Sequence, residues 1–257
     1  MQRLQHQSIH WLEFNLLADI PKIRHGVFLR EGGNSLGAFH SLNTSYLVGD
    51  DEKHVTANLA QINQLILDQT FTKQKIVQGI GCHGKYIENI YSQSANEILN
   101  CDGLMTCHPH ISLLMKHADC QIALFYDPIN HCIANIHAGW RGNVQNIYMH
   151  AIDQMKARFG TNPANLLVCI SPSLGPEEAE FINYKVELPE DFWQFQVQPT
   201  YFDLWTLSEY QLQNAGVLPH HIEIARLSTY SNPHDFFSFR RDNKVTGRHT
   251  TYITLLP

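Results

Sequence analysis

A chain of 257 residues that is 44% hydrophobic, 16% charged and 11% aromatic has the profile of a soluble globular protein, long enough to bury a sizeable core. With 18 Lys+Arg against 24 Asp+Glu, net charge -6 and no run of like charge, it lacks the basic cluster of a nucleic-acid binder and any tail suited to a membrane surface. Histidine is the outlier, at 16 copies.

The N-terminal stretch has no basic segment followed by an uninterrupted apolar one, so no secretory signal is expected. Residues 25–29 predict a strand, followed by a loop, 30–35, with two adjacent glycines. Val55, Leu59, Ile62, Leu65 and Ile66 recur at helical spacing over 51–68. Residues 75–77 read as strand. Three short apolar runs follow at 111–115, 122–126 and 132–136, each bounded by turn signals and far below membrane-spanning length. A helix is expected from Gly142 to Phe159, a buried strand over 166–170, and a last helix over 204–214. Six mid-chain cysteines with no CxxC pair predict reduced thiols in a cytoplasmic protein. No linker divides the chain, so residues 1–257 read as a single domain. The strands lie too close together for βαβ alternation, which favours mixed sheets covered by helices.

Three loops carry the reactive side chains: Cys82-His83-Gly84, His117-Ala118-Asp119-Cys120 and His137-Ala138-Gly139-Trp140-Arg141-Gly142. Each lies at a strand end, where a rigid element can present it to a cleft. If they converge, a thiolate and two imidazoles form a three-ligand site for a borderline-soft cation, with a fourth position open. Two other readings stand beside it. Cys120 is a buried core thiol and His137 a hydrogen-bonded strand-end residue, or Cys120 is a nucleophile with His137 as its base. Asp102 and Asp119 flank the site as acid–base groups or as turn caps. The helix after Arg141 offers free amides, and Arg240-Arg241 and Arg248 offer guanidinium forks, for an anion. The His108/His110 and His220-His221 pairs read as solvent-facing.

Together these segments resemble one family over almost the whole chain. It is the YfiH-type family, long labelled laccase-domain or multicopper polyphenol oxidase-like and now regarded as purine nucleoside phosphorylases. The matching runs are His25-Gly26-Val27-Phe28 with Arg30-Glu31-Gly32-Gly33, Ser41-Leu42-Asn43, Val48-Gly49-Asp50-Asp51 and His83-Gly84. Asp102-Gly103-Leu104-Met105-Thr106, Ala118-Asp119-Cys120, the His137 to Gly142 run, Thr229-Tyr230, 236–241 and Thr246-Gly247-Arg248 complete the match. The resemblance implies an α+β fold of two mixed β-sheets packed together with helices on the outer faces, related to the catalytic domain of cytotoxic necrotizing factor toxins. It implies zinc on His83, Cys120 and His137, and phosphorolysis of adenosine and inosine to the free base and ribose 1-phosphate. Methylthioadenosine phosphorolysis and adenosine deamination are further activities credited to the family.

On that basis Arg30, Asn43, Arg141 and Arg240 become candidates for binding phosphate or substrate, and Cys120, Asp119 and Asp102 for catalysis. The expected partners are a purine nucleoside and phosphate, with no nucleic acid or membrane, in a monomer or weak homodimer. The chain departs from the family pattern at Gly81, where Gln is usual, at His117, where Thr is usual, and at Glu177-Glu178-Ala179-Glu180. The competing functions are a copper-dependent polyphenol oxidase, a Cys–His hydrolase acting in peptidoglycan precursor editing, and a nucleoside-binding or zinc-stabilised partner protein without turnover. A single HxH pair speaks against the copper oxidase.

Overall fold

The apolar runs in the middle of the chain show no alternation because both of their faces are covered. The computed structural model describes residues 1–67, 74–91 and 97–257. Its early strands are β1 (Gln2–His6), β2 (Ile9–Glu13), β3 (Ile23–Phe28), β4 (Lys75–Ile80), β5 (Ile87–Asn89), β6 (Glu97–Asn100) and β7 (Gly103–Thr106). They are followed by β8 (Ile111–His117), β9 (Gln121–Asp127), β10 (Cys132–Ala138), β11 (Leu167–Ile170), the small β12 (Gln196–Gln198) and β13 (Tyr201–Phe202) pair, β14 (Ile222–Ile224) and β15 (His249–Leu255). The helices are α1 (Asn15–Ala18), α2 (Glu52–Ile66), α3 (Trp140–Val144), α4 (Ile147–Phe159), α5 (Tyr184–Glu187) and α6 (Leu204–Asn214).

One sheet has seven strands in the order β1-β2-β3-β15-β8-β4-β6, the other six in the order β14-β11-β9-β10-β7-β5. Each mixes parallel and antiparallel pairs. On β9, Ile122, Leu124 and Tyr126 point into the seam between the sheets, where they join Leu113 and Met115 of β8 and Ile253 of β15. The alternate residues Ala123 and Phe125 lie under Ile147, Ala151 and Met155. Helix α2 covers the outer face of the first sheet, seating Ile62 and Ile66 on Ile76, Leu114 and Tyr252. This is the expected α+β arrangement of two packed mixed sheets with helices outside.

The connections position the site. Strands β4, β6 and β8 run parallel in the first sheet, and the links leaving their C-terminal ends lead into β5, β7 and β9 of the second. Strand β10 is antiparallel to β9 and therefore finishes at the same edge. His83, Asp102, Cys120 and His137 are all delivered to one end of the seam.

The structure differs from sequence expectation in places. The helix expected from Gly142 to Phe159 is two helices, α3 and α4, because Asn146 adopts a left-handed conformation (φ 51) and caps α4 through its side chain to the Met149 amide. Asn tolerates that conformation better than other non-glycine residues. The helix read over 51–68 is α2, with Asp51 as its N-cap; Asp68 lies outside the described residues. Polar or short strands such as β1, β5, β7 and β14 gave no apolar signal, and the Thr-rich β15 is buried throughout despite its composition.

Candidate metal centre

The wide spacing of the three reactive loops is closed by the crossovers. One ligand atom each from His83, Cys120 and His137 lie within 4.8 Å of one another. His137 is buried, Cys120 half-buried and His83 exposed, so the cluster has a closed side and an open one. Both links are bent by left-handed residues, His83 at φ 60 and Asp119 at φ 79. Such backbone conformations cost energy in non-glycine residues and concentrate at functional sites.

Asp102 organises the cluster. Its Oδ1 accepts from the Cys82 and His83 amides at 2.9 and 2.8 Å, and its Oδ2 from the Gly84 amide at 2.8 Å. Oδ1 also meets His137 Nδ1 at 3.1 Å, leaving Nε2 as the ring nitrogen free to face Cys120. One buried carboxylate therefore shapes the His83 loop and fixes the orientation of His137, as outer-shell carboxylates do for metal-ligating histidines. Burial alone pushes the Asp102 carboxyl up, but the His137 hydrogen bond and the loop amides outweigh it and hold it below the usual carboxylate range. Burial likewise depresses the His137 imidazolium, yet the Cys120 sulfur and Asp102 together raise it to about 9. His83 is pushed down, by burial first and then by His137.

Two glycines leave the cluster its space. A Cβ on Gly81 would stand 2.5 Å from His137 Nδ1, and one on Gly139 would stand 2.9 Å from His83 Nδ1 and 3.2 Å from Cys120 Sγ. Gly81, the departure from the family's usual Gln, thus lies directly against the His137 ring.

Two cavities meet at the cluster. One, of about 240 Å³, is lined by Ser45, Ile80, Lys116, His117, Phe239 and Arg248 beside the three clustered residues. The other, of about 380 Å³, opens past His83 and Cys120 toward Trp140, Arg141, Ser173, Phe181, Arg240 and Lys244. Lys116, which sequence reasoning missed, is pushed down to about 8 by burial. Its signal was a cation interrupting the apolar run that ends at Met115. The buried His117 bridges the Cys120 carbonyl (2.9 Å) and Thr251 Oγ1 (2.7 Å), so it shapes the thiol's loop from behind.

Of the remaining expected site residues, Arg141 stacks on Trp140, its guanidinium 4.1 Å from the ring centroid, and reaches the second cavity. Arg240 reaches it too, while donating to the Glu178 and Glu180 carbonyls. Asp119 accepts from Thr229 Oγ1 and from the Arg240 amide, both at 2.6 Å, tying the C-terminal segment to the Cys120 loop. Arg30 and Asn43 line neither cavity. The Arg30 guanidinium donates to the carbonyls of His40 and Pro233. The buried Asn43 side chain donates to Asp50 and accepts from the Arg248 amide. Arg241, half of the Arg pair, is spent on Asp242 and on the carbonyls of Thr229 and Phe236. Glu178, in the acidic departure, accepts from Ser228 Oγ at 3.0 Å. His108 and His110 are half-buried rather than solvent-facing, and His220 is exposed.

The donor set fits a metal. A thiolate and two imidazoles suit zinc, and three protein ligands leave a position for water or substrate. Among the described residues no helix is long and apolar enough to cross a membrane.

Comparison with known proteins agrees with this fold. The family described as multi-copper polyphenol oxidoreductase laccase matches residues 24–256. A purine nucleoside phosphorylase of Bacteroides thetaiotaomicron is 30% identical over 92% of this chain and 93% of its own. The purine nucleoside phosphorylase YlmD of Geobacillus stearothermophilus is 29% identical over 89% of this chain and 88% of its own. The crystal structure of YlmD superposes with a TM-score of 0.86 at 26% identity, covering 99% of this chain and 98% of that one. That of the Bacillus licheniformis hypothetical protein YfiH gives 0.85 at 27% identity, covering 98% of both chains.

Proposed function

The chain belongs to the multi-copper polyphenol oxidoreductase laccase family, and from its relatives named purine nucleoside phosphorylase we propose that it is a zinc-dependent purine nucleoside phosphorylase. It cleaves adenosine and inosine with phosphate to the free base and ribose 1-phosphate, and methylthioadenosine and adenosine deamination fall within the same proposal. The observation that carries the reading is the His83–Cys120–His137 cluster, oriented by Asp102 at the junction of two cavities.

In phosphorolysis a phosphate oxygen bonds to the anomeric carbon as the glycosidic C–N bond breaks, through a cationic ribosyl state. The protein must hold phosphate and ribose in line and stabilise separating charge. Arg248 and Lys116 make the first cavity cationic, which suits phosphate. Trp140, Phe181 and Phe239 offer aromatic faces to a purine in the second. Zinc, when bound, supplies a Lewis acid that polarises an oxygen of phosphate or substrate. His117, with both ring nitrogens engaged, holds the Cys120 carbonyl rather than a substrate proton.

The test is metal analysis of the purified protein together with chromatography of its products. Inosine plus phosphate is expected to yield hypoxanthine and ribose 1-phosphate, adenosine and methylthioadenosine to yield adenine, and deamination to appear as ammonia. Cys120→Ala is expected to lose bound zinc and at least about 100-fold in kcat/KM. Zinc-loaded protein inactive on every nucleoside tested overturns the proposal. A second reading has its own observation: His137 lies between Cys120 and Asp102, the order of a Cys–His–Asp hydrolase. It predicts activity that survives chelation and a covalent adduct on Cys120. A copper phenol oxidase predicts copper in the metal analysis and consumption of oxygen.

A further inference from the structure

Away from the metal centre, two of the six cysteines are set opposite each other on adjacent strands. Strands β7 and β10 are antiparallel, with Ile133 opposite Thr106 and Ala134 opposite Met105. Continuing that register by one residue puts Cys132 opposite Cys107. The hydrogen-bonding phase of the ladder is known from both ends. The His137 amide donates to the Asp102 carbonyl, so that pair is hydrogen-bonded, whereas the Met105 carbonyl turns away and accepts from Ile90. Alternate pairs share a phase, so Cys107 and Cys132 occupy a non-hydrogen-bonded pair. There the Cα atoms approach to about 4.5 Å with the side chains on one face, inside the roughly 4.4–6.8 Å range that a disulfide spans. The two thiols are close enough to act on each other electrostatically, and the Cys132 Sγ donates to the Asn130 carbonyl at 3.2 Å. Both are free thiols, Cys107 exposed and Cys132 buried.

We propose that Cys107 and Cys132 form a reversible cross-strand disulfide when the protein meets hydrogen peroxide. The exposed Cys107 gives up its proton, its thiolate attacks a peroxide oxygen, the O–O bond breaks to leave a sulfenic acid, and the departing hydroxide takes up the released proton as water. The Cys132 sulfur then attacks the Cys107 sulfur, the S–O bond breaks, and the departing hydroxide takes the Cys132 proton and leaves as water. Two thiols are oxidised by two electrons, one peroxide is reduced, and two waters form. The order follows from exposure: burial pushes the Cys132 thiol up and makes it the resolving partner, not the first attacker. The same two strands hold Asp102 and His137 five residues farther along, so the bridge staples the pair that carries the metal centre's most buried ligand.

The full-length protein, freed of reductant, is exposed to a few equivalents of hydrogen peroxide, alkylated, digested without reduction and mapped by mass spectrometry. A linked peptide pair containing Cys107 and Cys132, two mass units below the sum and cleaved by dithiothreitol, is the expected result. Oxidation is expected to raise the melting temperature by about 5–10 °C, and dithiothreitol to reverse the shift. Cys107→Ser, at an exposed position, abolishes both effects without disturbing the fold, and Cys132→Ala does the same from the buried side. Cys82, also exposed, is the internal control for thiol oxidation. The proposal is overturned if Cys82 is oxidised while both Cys107 and Cys132 still alkylate fully. Cys107 ending as a lone sulfinic acid, or bridged to any other cysteine, overturns it equally.

Discussion

Replacing Asp102 by Asn changes one atom and removes the charge on which the His83 loop and the His137 ring both depend. The carboxylate receives three main-chain amides and His137, three of these four on Oδ1 and the Gly84 amide on Oδ2. An asparagine can keep its oxygen at the Oδ1 position, but its NH2 group then faces the Gly84 N–H, donor against donor. One orphaned donor costs about 1–3 kcal/mol, and weakening the remaining charge-assisted bonds brings the expected loss to roughly 2–4 kcal/mol. For a domain of this size that corresponds to a fall of about 5–12 °C in Tm. Loss of the partner that orients a metal-ligating histidine weakens metal binding by about 10- to 100-fold. Thermal melting with and without chelator, and competition for zinc against a chromophoric chelator, measure the two effects separately. A variant that melts within a degree of the parent and binds zinc within twofold of it refutes the role assigned to Asp102.

Two glycines in one run should behave oppositely. Gly139→Ala brings a methyl against His83 and Cys120 and is expected to weaken zinc binding at least about tenfold. At Gly142 the nearest atom to a new Cβ is Ile147 Cγ2 at 3.5 Å, an ordinary contact. Gly142→Ala is expected to keep metal and activity and to gain about 0.5–1 kcal/mol from its helical position, as read by metal titration and denaturant melts. Stability should also fall in mild acid. His25 Nε2 accepts the Phe14 amide at 2.8 Å, which requires the neutral ring, and burial pushes the group down to about 4 from 6.5. Its contribution is whole above pH 6.5 and is lost as pH falls from 6.5 to 4, because only the unfolded chain takes up the proton there. The loss is about 3 kcal/mol, and urea midpoints across this window should flatten in His25→Gln. Removing the half-buried cation in Lys116→Met should raise KM for phosphate by about tenfold with KM for inosine little changed, and equal changes in both would deny it a place at the anion.

The element types were legible where burial is two-sided or a face is amphipathic. The runs at 111–115, 122–126 and 132–136 became β8, β9 and β10, and the spacing of Val55, Leu59 and Ile62 became α2. The break at Asn146 was hidden because an asparagine inside a helical pattern reads as polar surface until its φ is seen. Strand β15 was hidden for the opposite reason. Its threonines bury their hydroxyls in hydrogen bonds, Thr250 to Thr44 and Thr254 to Ser112, so composition underrates its burial. Arg30 and Asn43 show what a motif match leaves out: a run of residues can be shared because it holds loops together. Arg30 clamps the 30–41 loop against the C-terminal segment, and Asn43 holds the backbone of Arg248, so both act on the site at one remove.

The ligand spacing resists local reading for a topological reason. A zinc ribbon or finger takes its ligands from one hairpin or helix, so its spacing survives as a sequence pattern. Here His83, Asp102 and Cys120 sit on links that leave parallel strands of one sheet and enter the other, and His137 ends a strand that returns to the same edge. The interval between ligands is therefore the length of a strand excursion, which chemistry at the site does not constrain. What the chemistry does constrain is the space around the cluster, and Gly139 records it. A Cβ there would stand 2.9 Å from the His83 ring and 3.2 Å from the Cys120 sulfur. A ligand set assembled in this way also depends on sheet register. Slipping β10 by one residue against β7 or β9 turns His137 to the opposite face of the sheet. The buried apolar pairs that set this register, Ile133 and Ile136 among them, thus hold the His83–Cys120–His137 arrangement as well as the fold.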